Sequence, residues 1–370
     1  MSDVLNTPLC KLLGCEYPVI QTAMGWIASP ELVAANCNAG AFGFLACAVM
    51  TPAEAEAAIL RTKELTDRPF GVNFHMFQPG AQQIVDLVIS HKVAAVSYGR
   101  GPNAALIQRF RDAGVRCVPT VGALKHAIKA AELGADAVVV QGGEGGGHTG
   151  SVATTILLPQ VLDAVDIPVV AAGGFSDGRG LAAALAYGAS GIAMGTRFLM
   201  TQESPVPAST KVRYVEAKAE QIQASDKVDG MPQRMIMNRA LADIARSSSL
   251  GMFLRAFRYG LRYRSQTGES IPGLLRSAWG MRKANGLSLG QTMMSASAPM
   301  LIQQAVVDGD ADGGILPSGQ VAGNITDLPA CADLINSIVV SARERLAVLA
   351  GAHSPTSKTD VSKESSAHAL

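Results

Sequence analysis

Positive and negative charges almost cancel in this sequence: 31 Lys and Arg stand against 30 Asp and Glu, leaving +1. With no excess of either sign there is no global field to gather nucleic acid or an anionic membrane surface, and neither is expected as a partner. Charge of any kind is sparse, 16% against 48% apolar residues, which excludes a disordered chain because ample apolar surface is available to bury. The six cysteines, at 10, 15, 37, 47, 117 and 331, form no CxxC pair and no metal-ligand spacing with histidine. No metal site is expected, and the thiols read as reduced, as in a cytosolic protein. The opening MSDVLNTPLCKLLGCEYP lacks the basic start and apolar core of a secretory signal, so the expected location is cytoplasmic. A long apolar run is missing too. The uncharged stretch 180–196 is short, carries Gly180, Gly188, Gly191 and Gly195, and is flanked by Arg179 and Arg197. It reads as a buried helix followed by a buried strand. Aromatics are scarce at 5%, whereas 38 glycines suit a protein that brings backbone close to a ligand.

Short apolar runs recur: Val19–Ala23, Phe42–Leu45, Phe70–Asn73, Ala94–Ser97, Arg116–Thr120, Ala137–Gln141, Pro168–Ala172 and Gly191–Met194. Their starts are 21 to 31 residues apart, one strand–helix unit each time. They lack polar alternation, as strands buried on both faces do. Helix starts fall between them. Ser29-Pro30-Glu31 places a cap before a first-turn proline. Thr51-Pro52-Ala53-Glu54 reads as a capping box. Eight such units predict an α/β fold of the (β/α)8 barrel type. The competing doubly wound sheet would carry a glycine fingerprint after its first strand, where this sequence has Met24-Gly25-Trp26-Ile27.

The period breaks near Glu203. From 203 to 300 the sequence is read as long, mostly helical and richer in charge and methionine, an inserted substrate or lid domain after the eighth strand. Within it Met252–Lys283 holds Arg255, Arg258, Arg262, Arg264, Arg276, Arg282 and Lys283 against Glu269 alone. The first three arginines share a helical face. That stripe is either solvated or a landing surface for a substrate phosphate such as that of coenzyme A. The expected barrel domain is 1–202 with 301–350, closed by a helix over Leu328–Leu349. The Ser/Thr/Lys-rich tail 351–370 is expected to be disordered.

Active sites of such barrels lie at the C-terminal strand ends. Gly173-Gly174 and Gly195-Thr196 end strands seven and eight, where glycine backbone and a following helix start favour a phosphate. Gln141 to Gly150 contains six glycines in ten positions, too many to build a packed element of its own. His148 in that loop is a candidate general base. Glu144 beside it reads as facing water. Asn73 and Gln141 offer donor and acceptor together, which suits a planar heterocycle. His75 is a weaker candidate, and His91 and His126 read as surface or packing residues.

Five segments in order, ASPELVAANCNAGAFGFL, FGVNF, GADAVVVQGGEGGGHTG, PVVAAGGFSDGRGLAAALAYGASGIAMGTRF and SGQVAG, resemble the nitronate monooxygenase family, formerly called 2-nitropropane dioxygenases. The resemblance spans Leu9 to about Leu349. It implies an FMN-binding TIM barrel with an inserted helical domain. Carried over by motif, the flavin site maps to Ala23, Met24, Asn73, Gln141, Gly173, Gly174, Gly195, Thr196 and Gln320, and the base to His148. The sequence departs from the family pattern where Ala23 replaces a proline and Thr149 an arginine. The resemblance implies a flavoprotein oxidoreductase acting on a small molecule, and a homo-oligomer is a separate expectation. The first expectation is oxidation of alkyl nitronates by dioxygen. The alternative is an FMN-dependent dehydrogenase or reductase of a CoA or carrier-protein thioester, which the region GLSLGQTMMSASAPMLIQQAVVDGD resembles at least as much. A third expectation is a flavin-binding protein without catalysis.

Overall fold

The computed structural model describes residues 3–99, 103–246 and 289–351. The basic stretch Met252–Lys283 and the tail from Ala352 lie outside the described residues.

Strands β1 (Val19–Gln21), β2 (Phe42–Ala46), β3 (Gly71–His75), β4 (Ala95–Gly99), β5 (Arg116–Cys117), β6 (Thr120–Val121), β7 (Val138–Gln141), β9 (Val169–Ala172) and β10 (Gly191–Met194) form one curled parallel sheet. The short strand β8 (Gly147–His148) belongs elsewhere. The order is β5-β4-β3-β2-β1-β10-β9-β7-β6. Its two edges, β5 and β6, are consecutive pieces of a single extended segment. Val118 N–H donates to Val96 O of β4 at 2.8 Å, while Pro119 O accepts from Val139 N–H of β7 at 2.9 Å. The segment therefore turns its first half to β4 and its second half to β7, and the strand order closes as in a (β/α)8 barrel. Proline has no N–H to give, which interrupts the ladder at 119 and splits the strand in two. All eight apolar runs are strands, with ends moved by one or two residues.

The local signals act as chemistry dictates. Ser29 caps the helix Pro30–Asn38 by accepting from Leu32 N–H, and Thr51 and Glu54 form the reciprocal box that starts Pro52–Leu65. The sheet interior is filled by Ile20, Phe42, Phe44, Ala95, Val139, Val170, Ala172 and Ala193. Leu9 and Leu13 of the helix Pro8–Leu13 join that cluster and plug the N-terminal end. All six cysteines are free thiols, and burial pushes Cys37, Cys47, Cys117 and Cys331 up to about 12. Among the described residues no helix is long and apolar enough to cross a membrane.

The stretch after Glu203, expected to be mostly helical, mixes helix and strand in its described part. It holds the helices Ala208–Val215 and Arg239–Arg246, but also an antiparallel hairpin, β11 (Ile222–Ser225) with β12 (Gln233–Ile236). β12 pairs in turn with β8. Ile222 and Ile236 share the large core with barrel residues, while Val228, Met235, Leu241, Ile244, Ala298, Leu301 and Ile315 form a small core of their own. The expected boundary at 300 falls inside the helix Leu289–Val306. The closing helix, expected over about Leu328–Leu349, runs Cys331–Gly351. Its start is set by a distant residue: both carboxylate oxygens of Glu203 accept from Cys331 N–H at 3.0 Å, a cap no local sequence signal encodes.

That helix packs on Gly178–Tyr187, and Gly178 is where the two backbones meet. A Cβ there would run into Ile338 O and Ala342 N. Backbone cannot step aside as a flexible side chain does. Gly178→Ala is expected to cost about 1–3 kcal/mol of stability, the range for overpacking a tight contact. Urea unfolding should show a lower midpoint with an unchanged slope. An unchanged midpoint would mean the outer helix is not packed this closely.

Candidate active site

Side-chain parity decides what reaches the barrel mouth. Phe44 points inward, and its register partner Gly71 is bare where a Cβ would strike the Phe44 ring. Two residues on, Asn73 shares that inward parity at the C-terminal end of β3, and its Nδ2 donates to Ser97 O at 3.0 Å. Gln141 follows inward Val139 at the end of β7, and Gly195 follows Ala193 past the end of β10. Ala23 and Met24 sit just beyond β1, half-buried. The expected site residues thus gather at one rim.

Beyond β9 the backbone of Gly173 and Gly174 takes φ +95° and +84°, a conformation side chains resist. Gly174 is exposed and looks into open space, with Glu144 Cβ the nearest atom to a built Cβ at 3.9 Å. The helix Gly178–Tyr187 starts close behind, capped by Asp177. Thr196 is buried, and its Oγ1 accepts from Gly319 N–H at 2.9 Å. Its own hydroxyl proton therefore stays available to a ligand. That contact brings the Ser318-Gly319-Gln320 turn onto the rim, where Gln320 opens the short helix Gln320–Asn324. These residues fit a phosphate: two bare backbone turns, one hydroxyl donor and open space in front of Gly174.

The glycine loop is held from outside. Gln320 N–H donates to Glu144 O at 3.0 Å. A Cβ on Gly146 would overlap Ser318 and Gly319 backbone, so only glycine permits that approach. The Gln141 amide donates to His148 O at 2.9 Å, and Gly145 leaves room for it. Arg234 of β12 donates from Nε to Gly143 O at 2.8 Å and from its terminal nitrogen to Ile222 O at 3.0 Å. Glu144 does not simply face water. Its carboxylate accepts from Thr154 N–H at 3.0 and 3.1 Å and from Thr154 Oγ1 at 2.8 Å, capping the helix Thr154–Leu162.

His148 is exposed at the rim but anchored from below. Its Nε2 lies 2.7 Å from Oδ2 of Asp229, which is 6% exposed. The Gln233 amide nitrogen donates to the same Oδ2 and stands 3.1 Å from His148 Nε2. Met231 N–H donates to Asp229 Oδ1 at 3.0 Å. Burial alone would push the Asp229 carboxyl up, but the His148 ring, Met231 N–H and Gln233 together hold it below the usual carboxylate range. Asp229 is therefore ionised at neutral pH.

Asp229, Gln233 and Arg234 escape the reading by motif because they lie outside the barrel repeat. The available signal is Asp229-Gly230 before an alternating run, a hairpin signature. Gly230 has φ +84°, and β12 aligns Gln233 with His148 and Arg234 with Gly147. His75 stacks on Phe77 at 5.0 Å between ring centres, and Phe77 is 70% exposed. His91 pairs with Glu56 at 3.0 Å, away from the rim. Among the described residues no group of three metal-ligating side chains comes together.

Comparison with known proteins places this architecture. The chain is 50% identical, over 94% of its length and 98% of the relative's, to (3aS,4S,5R,7aS)-5-hydroxy-7a-methyl-1-oxo-octahydro-1H-indene-4-carboxyl-CoA dehydrogenase of Rhodococcus jostii. It is 32% identical to a probable nitronate monooxygenase of Staphylococcus saprophyticus, over 63% of this chain and 79% of that one. Among solved structures, FabK from Thermotoga maritima superposes with a TM-score of 0.76 at 30% identity, covering 94% of this chain and 99% of that one. The profile of the nitronate monooxygenase family matches residues 6–86 and 75–341, so the chain belongs to that family.

Proposed function

We propose that this protein is a flavin-dependent dehydrogenase of a CoA thioester whose acyl group is an apolar fused ring. The observation that carries this reading is the whole-length likeness to the carboxyl-CoA dehydrogenase, 94% of this chain against 63% for the nitronate monooxygenase. Oxidation of alkyl nitronates is the second reading, favoured by the family profile. The apolar side of the rim also fits a ring system: Phe77 and Val49 are exposed beyond β3 and β2, and Gln78 ties their loops together through Cys47 O at 3.0 Å.

FMN is the cofactor proposed, with Gly173, Gly174, Gly195 and Thr196 toward its phosphate. Ala23, Met24, Asn73, Gln141 and Gln320 would surround the remainder. When bound, a flavin supplies the two-electron acceptor that a dehydrogenation requires. The work of the chain is to orient the thioester and move a proton. A proton on the carbon next to a thioester carbonyl is acidified by that carbonyl, and His148 at the rim is the base that takes it. The pairing of β12 with β8 beside His148 supports reading the start of the 203–300 segment as substrate-facing.

The cofactor is checked by denaturing the purified protein and weighing the released chromophore. FMN is expected, and FAD would overturn the assignment. Under anaerobic conditions a fused-ring acyl-CoA should bleach the flavin, whereas an alkyl nitronate should not. Bleaching by the nitronate alone would restore the second reading. His148→Ala should keep its flavin and slow acyl-CoA turnover by about 10²–10⁴-fold, the range for general acid–base catalysis. Phe77→Ala should raise KM for the ring thioester by about fivefold, since an aromatic contact contributes about 1 kcal/mol. An unchanged KM would remove Phe77 from the substrate surface.

A further inference from the structure

We propose that Asp229 is the positioning residue that fixes the tautomer of His148, holding its proton on Nε2 so that Nδ1 is the nitrogen that exchanges a proton with substrate. The inference rests on the reading of His148 as the acid–base group and adds which atom of the ring acts and what holds it so.

The hydrogen-bond inventory leaves one consistent arrangement. Asp229 Oδ2 faces two nitrogens, His148 Nε2 at 2.7 Å and the Gln233 amide. An ionised carboxylate only accepts, so both nitrogens donate to it. The 3.1 Å separation between His148 Nε2 and the Gln233 amide nitrogen is then two donors sharing an acceptor, not a bond between them. A neutral imidazole with its proton on Nε2 keeps its lone pair on Nδ1. When Nδ1 takes a proton, the ring becomes a cation whose charge faces a carboxylate that is 6% exposed, where water screens it little. The C–H bond that breaks sends its proton to Nδ1 and leaves its electron pair on carbon, next to the thioester carbonyl.

The support for this pair comes from the chain that leaves the barrel after β10. Asp229 is set by its own backbone, because Oδ1 accepts from Met231 N–H at 3.0 Å. Gln233 and Arg234 sit in β12 opposite His148 and Gly147, so the same strand that aligns the loop also delivers the donor on Oδ2. Arg234 then ties β12 to the loop through Gly143 O. Nothing in the glycine loop itself supplies a partner to the imidazole. A loop this rich in glycine would leave the ring free to present either nitrogen.

Asp229→Asn is a discriminating change because it preserves shape. Asparagine Oδ1 can still accept from Met231 N–H, but its amide nitrogen replaces the acceptor that faces Nε2. Two donors then oppose each other, and the imidazole is driven to carry its proton on Nδ1. The experiment is ring-nitrogen NMR of the flavin-loaded protein labelled with ¹⁵N-histidine, with the His148 signals assigned by their loss in His148→Ala. The wild-type ring is expected to be protonated on Nε2 at neutral pH, and Asp229→Asn should move that proton to Nδ1. Turnover of the acyl-CoA should fall at least about tenfold in kcat, since the base now offers a proton where a lone pair is needed. KM should stay within about twofold, because substrate contacts are untouched. A wild-type ring protonated on Nδ1 would overturn the proposal, and that measurement needs no variant to fold. So would an Asp229→Asn protein with unchanged tautomer and kcat. Failure of the base reading itself looks different: His148→Ala would keep full turnover while the ring spectra still followed Asp229.

Discussion

A loop of mostly glycine has few side chains with which to hold itself, and in the 142–150 segment the internal ties are Thr149 Oγ1 donating to Gly142 O at 3.1 Å and Gly145 N–H donating to the same oxygen at 3.0 Å. Its order comes from groups that arrive from far along the chain. The Gln320 N–H, the Arg234 guanidinium and the pairing of β12 with β8 each fix a different point of it. The absence of Cβ atoms is what makes these approaches possible, since a side chain at Gly146 would collide with the Ser318–Gly319 backbone. The same constraint that leaves the loop with little internal support lets two distant segments, the 318–320 turn and β12, close on it.

From that clamp follows the rest of the rim. Glu144, pinned through its carbonyl by Gln320, aims its carboxylate at the start of Thr154–Leu162 and so joins the loop to the helix behind it. Gly319, seated on Thr196 Oγ1, connects the loop to the end of β10. The phosphate-suited turns after β9 and β10 and the histidine after β7 thereby share one framework. The glycine turns and His148 are held relative to each other by hydrogen bonds in which at least one partner is backbone.

The electrostatics of the rim depend on burial being uneven. Asp229 is covered, and the hydrogen bonds it accepts outweigh the cost of keeping a charge away from water. His148, on the other side of that contact, remains open to whatever enters the mouth. One buried anion beneath one exposed imidazole favours the ring taking up a proton, because the carboxylate stabilises the cation that forms. The apolar ring edge made by Phe77 and Val49 lies on the β2–β3 side of the same mouth.

The barrel was legible residue by residue. Unbroken apolar runs at regular spacing, Ser29 and Thr51 as caps, and glycine pairs at strand ends are local signals, and each depends on backbone preferences that hold wherever the segment lies. His148 was legible for the same reason, since a histidine inside a glycine-rich loop stands out in any context. The partner of that histidine was not. Asp229 lies 81 positions away, and nothing in a sequence states that β12 pairs with β8 and not with another edge. Glu203 capping a helix at Cys331 and Arg197 meeting Asp327 at 2.6 Å are of the same kind. Local conformation is decided by neighbours along the chain, but the burial of a carboxylate and the choice of what it faces are decided only when distant segments pack, because both depend on which groups displace water from it.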